Sequence, residues 1–442
     1  MLQGSDAGCT EPSRLDRALC AFSIYSNGRK LLSTNSSGDS IDIIHGIRFL
    51  SMAWIIVGHS FSFAMTWLTF TETCSGLLVT YHGIRRMQKE GSLNLPYFYI
   101  HRFFRYVARP SHTLVADAGC CRLTPLMMVV IGFCATLLRH VTTGPDWLHT
   151  IESYDLWCRD NWWTNLLYLN NFIHREQMCL SHTWYSAVDF QLYAISPIVL
   201  YAISRGQVWY FASMAALFCI TTGATFGLTL GYNLPAVPYF NNITPTWLLN
   251  EYYGLVYIKP YCRLGPFLVG LATGAYLQRR AAQSEEERAN LRGWQSALLW
   301  LLAGLLAMAV IFGMYPANQG RLPPPALAAA YSSLARTAWA AGLAWVVLAC
   351  VMGHAGGGAG YVRTILSCRV FAPLGRLTYA AYLIHPVVMA VFYGSREVVF
   401  DFDVYFMTYF ILGNLVLTYA VSLAVSLLFE SPIIGLERIF VH

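Results

Sequence analysis

Charge is what this sequence has least of. Only 12% of its 442 residues are Asp, Glu, Lys or Arg, where a soluble domain averages about a quarter, so a water-soluble globule is excluded. The formal charge of +6 is modest, and we read it as a matter of membrane topology, with no nucleic-acid partner expected. The opening residues do not read as a secretory signal peptide, so the first long apolar run is expected to act as the insertion signal. Ten of the 12 Cys are scattered without ligand spacing, which makes them small packing residues and gives no metal site.

What is present is apolar surface. Hydrophobic residues make up 56% of the chain, and the mean hydropathy is +0.45. The aromatic share is 15%, with 13 Trp and 27 Tyr, rings that favour the two bilayer interfaces. Crossing the hydrocarbon takes about 20 apolar residues. Nine such runs stand out, at roughly 46–70, 123–141, 183–204, 208–232, 263–279, 293–315, 327–353, 370–394 and 405–429. A tenth, Cys74 to Ile84, has about half the length needed to span. The pattern predicts an all-α, polytopic membrane bundle of about ten helices, the second one truncated.

Lys and Arg mark cytosolic loops, and one loop is strongly basic, with Arg85, Arg86, Lys89, Arg102, Arg105, Arg109 and Arg122. Placing it in the cytosol puts both termini there, provided the short segment crosses, and puts 142–182 and 233–262 on the other side. The second of those loops holds Asn242-Ile243-Thr244, an acceptor sequon for glycosylation. The first holds Cys158 and Cys179, expected to pair in an oxidising compartment. Asn35 also begins a sequon, but this topology leaves it unmodified.

Ionisable groups inside a span are costly and therefore candidates for function. Arg48 and His59 share the first helix, and eleven helical steps put both on one face about 16 Å apart. Alternatively, the Arg snorkels to the surface and the His merely packs. Arg102 and Arg105 form an i, i+3 pair in the basic loop, suited either to gripping phosphate or to simple positive-inside flanking. Asp189 lies about two turns into its helix, and His59 and His385 fall at similar depth. These groups either line one cavity or form a buried structural Asp–His hydrogen bond.

The sequence closely resembles the acyltransferase-three superfamily, specifically its animal branch named nose resistant to fluoxetine, over nearly the whole chain from Phe22 to Phe440. The resemblance rests on seven blocks in order. The first two are His45-Gly-Ile-Arg-Phe-Leu-Ser-Met52, leading to Gly58-His59, and Ser75-Gly-Leu-Leu-Val-Thr-Tyr81. Asn161-Trp-Trp-Thr-Asn-Leu-Leu-Tyr168 with Asn170-Asn171 and His182-Thr-Trp-Tyr-Ser-Ala-Val-Asp189 follow. Pro260-Tyr-Cys-Arg-Leu-Gly-Pro266, the run from Arg376 to His385-Pro386, and Phe429-Glu-Ser-Pro432 complete it. The resemblance implies acyl transfer from a donor, commonly a coenzyme A thioester, to a hydroxyl of a lipid or small-molecule acceptor. It matches Arg48 and His59 to the family's Arg-and-His signature of the first helix, and Arg102 and Arg105 to its paired-Arg signature.

On this reading His59 is the general base, Asp189 orients it, Arg48 orients the donor or stabilises developing charge, and Arg102 and Arg105 hold the donor's phosphates. His182 and His385 are cavity candidates. Acyl-CoA is a co-substrate, and no metal or redox cofactor is implied. The alternative is a lipid or small-molecule transporter that keeps the fold without catalysis. Expected partners are the acyl donor, the hydroxyl-bearing acceptor and membrane lipids, at the plasma membrane or an endomembrane.

Residues 1–41 are expected to be an N-terminal cytosolic segment and 42–442 the membrane acyltransferase domain, with the secreted Cys-rich domain usual in this branch absent. Between Trp67 and Ser75 only Leu68 to Cys74 stand where the branch has a long loop and the start of the second helix. Tyr106 to Arg122 separates Arg105 from the Leu123-Thr-Pro125 that would otherwise follow it. These two departures point to an alternative transcript or an imperfect gene model and predict a chain impaired relative to an uninterrupted relative.

Overall fold

The computed structural model describes residues 14–34, 42–60, 123–144, 147–238, 244–283, 291–352, 358–395, 397 and 404–441. The short segment Cys74 to Ile84, the basic loop with Arg102 and Arg105, the 106–122 block, Asn35 and Asn242 lie outside the described residues. Among the described residues the regular structure is helical throughout. In lipid, where no water can satisfy an open backbone, a helix satisfies every amide internally.

The principal helices are α1 (Arg14–Ala21), α2 (Ile24–Leu31), α3 (Ile43–Ser60), α4 (Leu123–Thr136), α5 (Leu156–Leu166), α6 (Trp184–Arg205), α7 (Gln207–Gly231), α8 (Thr246–Tyr252), α9 (Leu264–Ala281), α10 (Gly293–Phe312), α11 (Pro325–Val351), α12 (Gly358–Leu366), α13 (Phe371–Gly394), α14 (Val404–Val425) and α15 (Ser431–Val441). Seven helical stretches among the described residues are long and apolar enough to cross a membrane: Ile43–Ser60, Ser181–Arg205, Gln207–Gly231, Gly293–Ala317, Pro325–Val351, Phe371–Gly394 and Met407–Leu436. The protein is a polytopic helical membrane protein. The apolar run at 123–141 yields only the 14-residue α4, and the run at 263–279 becomes the 18-residue α9.

Local sequence explains the breaks. Gly206 joins α6 to α7 at φ +120°, a conformation that favours glycine because a Cβ would clash. Pro325 opens α11 at the position where a missing amide costs nothing. The amide of Arg292 donates to Gln295 Oε1 at 2.9 Å, capping the start of α10.

Burial sorts the helices into centre and rim. In the most apolar 18-residue stretch of each span, 61% of the residues of α13 are buried, against 11% in α7 and 17% in the span beginning with α10. The centre of the bundle is therefore α13, flanked by α3 and α14, while α7 and α10 expose apolar side chains such as Trp209, Phe211, Leu301 and Leu305. α3 turns Ile44, Ile47, Ser51, Met52, Ile55 and Ile56 inward, a three-and-four spacing that keeps one face on the core. α3 and α13 run parallel: Gly375 meets His45 near their starts, and His385 meets His59 further along. At the other edge Arg376 Nη1 donates to the carbonyls of Leu31, at 3.1 Å, and of Ser33, tying α2 to α13 through carbonyls that a helix end leaves open.

Candidate functional site

Three histidines meet where α3 ends, α6 begins and α13 is a little past its midpoint. His59 Nδ1 lies 2.7 Å from His385 Nε2, with the rings stacked at 4.8 Å. His182 stands edge-on to His385 at 5.7 Å. His385 is wholly buried, and neither ring nitrogen of His182 has a well-formed hydrogen-bond partner.

The protons of the pair follow from its neighbours. His385 Nδ1 lies 3.1 Å from the carbonyl of Ala381. A carbonyl only accepts, so this nitrogen carries a proton and donates. In the neutral ring His385 Nε2 is then an acceptor, and His59 Nδ1 must be the donor to it. That leaves Nε2 of His59 as the unprotonated, basic nitrogen. Pro386, inside α13, removes the amide that would otherwise bond the Tyr382 carbonyl, loosening the turn onto which the His385 ring folds back.

Tyr382 completes the floor. Its hydroxyl donates to the backbone carbonyl of His182 at 2.5 Å, and its ring lies 5.3 Å from the His182 ring. Sequence reasoning missed Tyr382, although it sits three residues before His385 and therefore on the same helical face. It missed Ser60 as well, whose Oγ accepts from Asn414 Nδ2 at 3.1 Å and whose carbonyl accepts from the Tyr393 hydroxyl at 3.2 Å. No spacing rule links Ser60 to α14.

His182 is held by a polar scaffold built from the Asn-rich block. Asn165 Nδ2 donates to the Cys179 carbonyl at 3.0 Å and to Thr183 Oγ1 at 2.8 Å, and Asn170 Nδ2 donates to the same hydroxyl at 2.9 Å. Asn171 Nδ2 donates to Gln191 Oε1 at 2.9 Å and to the Ile258 carbonyl at 3.1 Å. Lys259 Nζ donates to the Asn171 carbonyl at 2.8 Å, and desolvation, with the nearby Arg175 guanidinium, lowers its ammonium pKa from the usual lysine value. A disulfide joins Cys158 to Cys179, anchoring the segment just before His182.

The structure thus brings His59, His182 and His385 together. Asp189 lies half-buried on α6, seven residues beyond His182, whereas the group fixing His59 Nδ1 is the His385 imidazole. Arg48 lies on α3 three turns before His59, about 16 Å away along the axis. Among the described residues no three or more His, Cys, Asp or Glu gather closely enough to hold a metal ion.

Two curated relatives from Caenorhabditis elegans are similar to the chain. Nose resistant to fluoxetine protein 6 is 29% identical over 447 residues, covering 94% of this chain and 53% of the relative. Regulator of hypoxia-inducible factor 1 is 26% identical over 226 residues, covering 48% of this chain and 42% of the relative. The chain therefore spans about half the length of the curated relatives it matches. No solved structure matches it. A family profile described as an acyltransferase domain matches residues 41–430, a stretch that contains all three histidines and the helices presenting them, and the chain belongs to this acyltransferase-3 family.

Proposed function

We propose that the protein transfers an acyl group from an acyl-CoA-type thioester to a hydroxyl on a lipid or small-molecule acceptor, with His59 as the general base. The observation that carries this reading is the 2.7 Å contact between His59 Nδ1 and His385 Nε2. It fixes the tautomer that points a basic Nε2 away from the pair, much as a hydrogen-bonded orienting group does for other catalytic histidines. His59 Nε2 takes the proton of the acceptor hydroxyl while that oxygen bonds to the thioester carbonyl carbon. The carbon–sulfur bond then breaks, and the proton passes from His59 to the departing thiolate.

Arg48 is too far from His59 for both to touch one reacting carbonyl, because a guanidinium reaches only a fraction of the roughly 16 Å between them. Its reading is a grip on the donor's remote, anionic part, a role shared with Arg102 and Arg105. His182 and Tyr382 shape the pocket around the base. The disulfide-bearing 142–182 loop and the 233–262 loop are read as facing the oxidising, extracytosolic side, which puts the histidines near that face and the donor-gripping arginines toward the cytosol.

The test is turnover by purified protein in lipid nanodiscs, supplied with labelled acyl-CoA and a membrane-lipid extract. His59→Ala is expected to abolish labelled product with expression intact. Wild-type turnover in that variant removes the base assignment, and absence of product in wild type alongside specific lipid uptake favours a transporter.

A further inference from the structure

A second recess opens apart from the histidines. Tyr252, Tyr257, Tyr331 and Trp339 wall it. Two polar side chains face it from α11, Ser332 and Arg336, spaced i, i+4 and hence on one face. Ser332 is 4% exposed, and its Oγ has no hydrogen-bond partner. A buried hydroxyl without a partner is unfavourable and calls for an explanation.

The charge is equally specific. Arg336 Nη2 donates to the Tyr252 hydroxyl at 2.7 Å, which holds the guanidinium at the wall. Behind Tyr257 a second cation, Arg263, is almost wholly buried at 1% exposure, its Cζ 4.5 Å from the Tyr257 ring and 4.8 Å from the Trp184 ring. Among the described residues lining the recess there is no Asp or Glu. Mostly apolar aromatic walls with a cation and a hydroxyl at one point are the chemistry of a pocket for an anion carried on an apolar body.

We propose that this recess is a second ligand site, separate from the histidine centre, that binds the oxyanion head of an amphiphile, a carboxylate or phosphate monoester. Its oxygens accept from the Arg336 guanidinium and from Ser332 Oγ, and its chain lies against the Tyr331 and Trp339 rings. None of the three histidines lines the recess; its wall residue Tyr257 packs on Trp184 at 5.0 Å between centroids, two residues from His182, so occupancy does not require the acyl-transfer chemistry.

Equilibrium binding of labelled oleate, lysophosphatidate and inorganic phosphate to the full chain in a non-ionic detergent tests the proposal. Oleate or lysophosphatidate is expected to bind wild type and His59→Ala equally. Ser332→Ala, which removes one buried oxygen and leaves the packing, is expected to weaken that binding about 3-fold, and Arg336→Gln at least 10-fold, with melting temperature checked for both. If Arg336→Gln does not fold, Ser332→Ala still decides. Failure of both amphiphiles to bind, equal binding to wild type and the folded variants, or binding of inorganic phosphate alone each overturns the proposal.

Discussion

Gly375 packs directly onto His45. A Cβ built on it would lie 2.8 Å from His45 Nδ1 and 2.9 Å from His45 Cα, closer than real Cβ contacts come. Because α3 and α13 are parallel, this close approach near their starts lies on the same helix–helix seam as the His59–His385 contact further along. Gly375→Ala is expected to destabilise the protein by about 1–3 kcal/mol through overpacking and to lower acyl transfer by opening the histidine pair. Gly223→Ala, at a position with nothing within 4 Å, is the control. Thermal unfolding and turnover of the two variants side by side check this; unchanged stability in Gly375→Ala would contradict the packing.

If His385 orients His59 without touching substrate, its loss should depress kcat and spare KM. His385→Gln is expected to lower kcat by at least about 10-fold, less than the roughly 10²–10⁴-fold contribution of a general base itself. A larger effect on KM than on kcat would put His385 in substrate binding instead.

The Cys158–Cys179 bond closes a loop with a sequence separation of 21, worth about 3 kcal/mol by the loop-entropy argument. Cys158→Ser is expected to lower the melting temperature and to loosen the segment that presents His182. Peptide mapping without reduction should recover the crosslinked pair from wild type; two free thiols would rule out the bond.

Asn242 tests which face is extracytosolic. Glycosidase treatment is expected to reduce the apparent mass of wild type, and Asn242→Gln is expected to remove that sensitivity. A glycan on Asn35 would invert the proposed topology.

The helical bundle was legible in the sequence because lipid imposes one length and one kind of backbone on every span. The runs at 208–232 and 370–394 reappear as Gln207–Gly231 and Phe371–Gly394, within a residue at either end. Within the site, His59 and His385 stood out because each is an ionisable group in an apolar helix. Their mutual contact was not legible, since helical periodicity relates only residues on one helix and these lie 326 positions apart. The recess was hidden for the same reason: Ser332 and Arg336 look like ordinary interruptions of α11 until Tyr252 is packed against them. The Asn-rich block was read as family signature and proves to be a hydrogen-bonded scaffold, which only the partners of Asn165, Asn170 and Asn171 reveal.

The separation of the two histidines has a consequence in time. At about 5–20 residues per second, the ribosome needs roughly 16–65 s to travel from one to the other, a distance of 326 residues. Throughout that interval α3 is already in the bilayer, and its imidazole lacks the neighbour that assigns its Nδ1 proton. The centre therefore stays half-built until Phe371–Gly394, the penultimate of the described spanning stretches, is made. A message that ends between codons 351 and 385 releases a chain with five of the seven described spanning stretches and with His59 lacking its His385 contact.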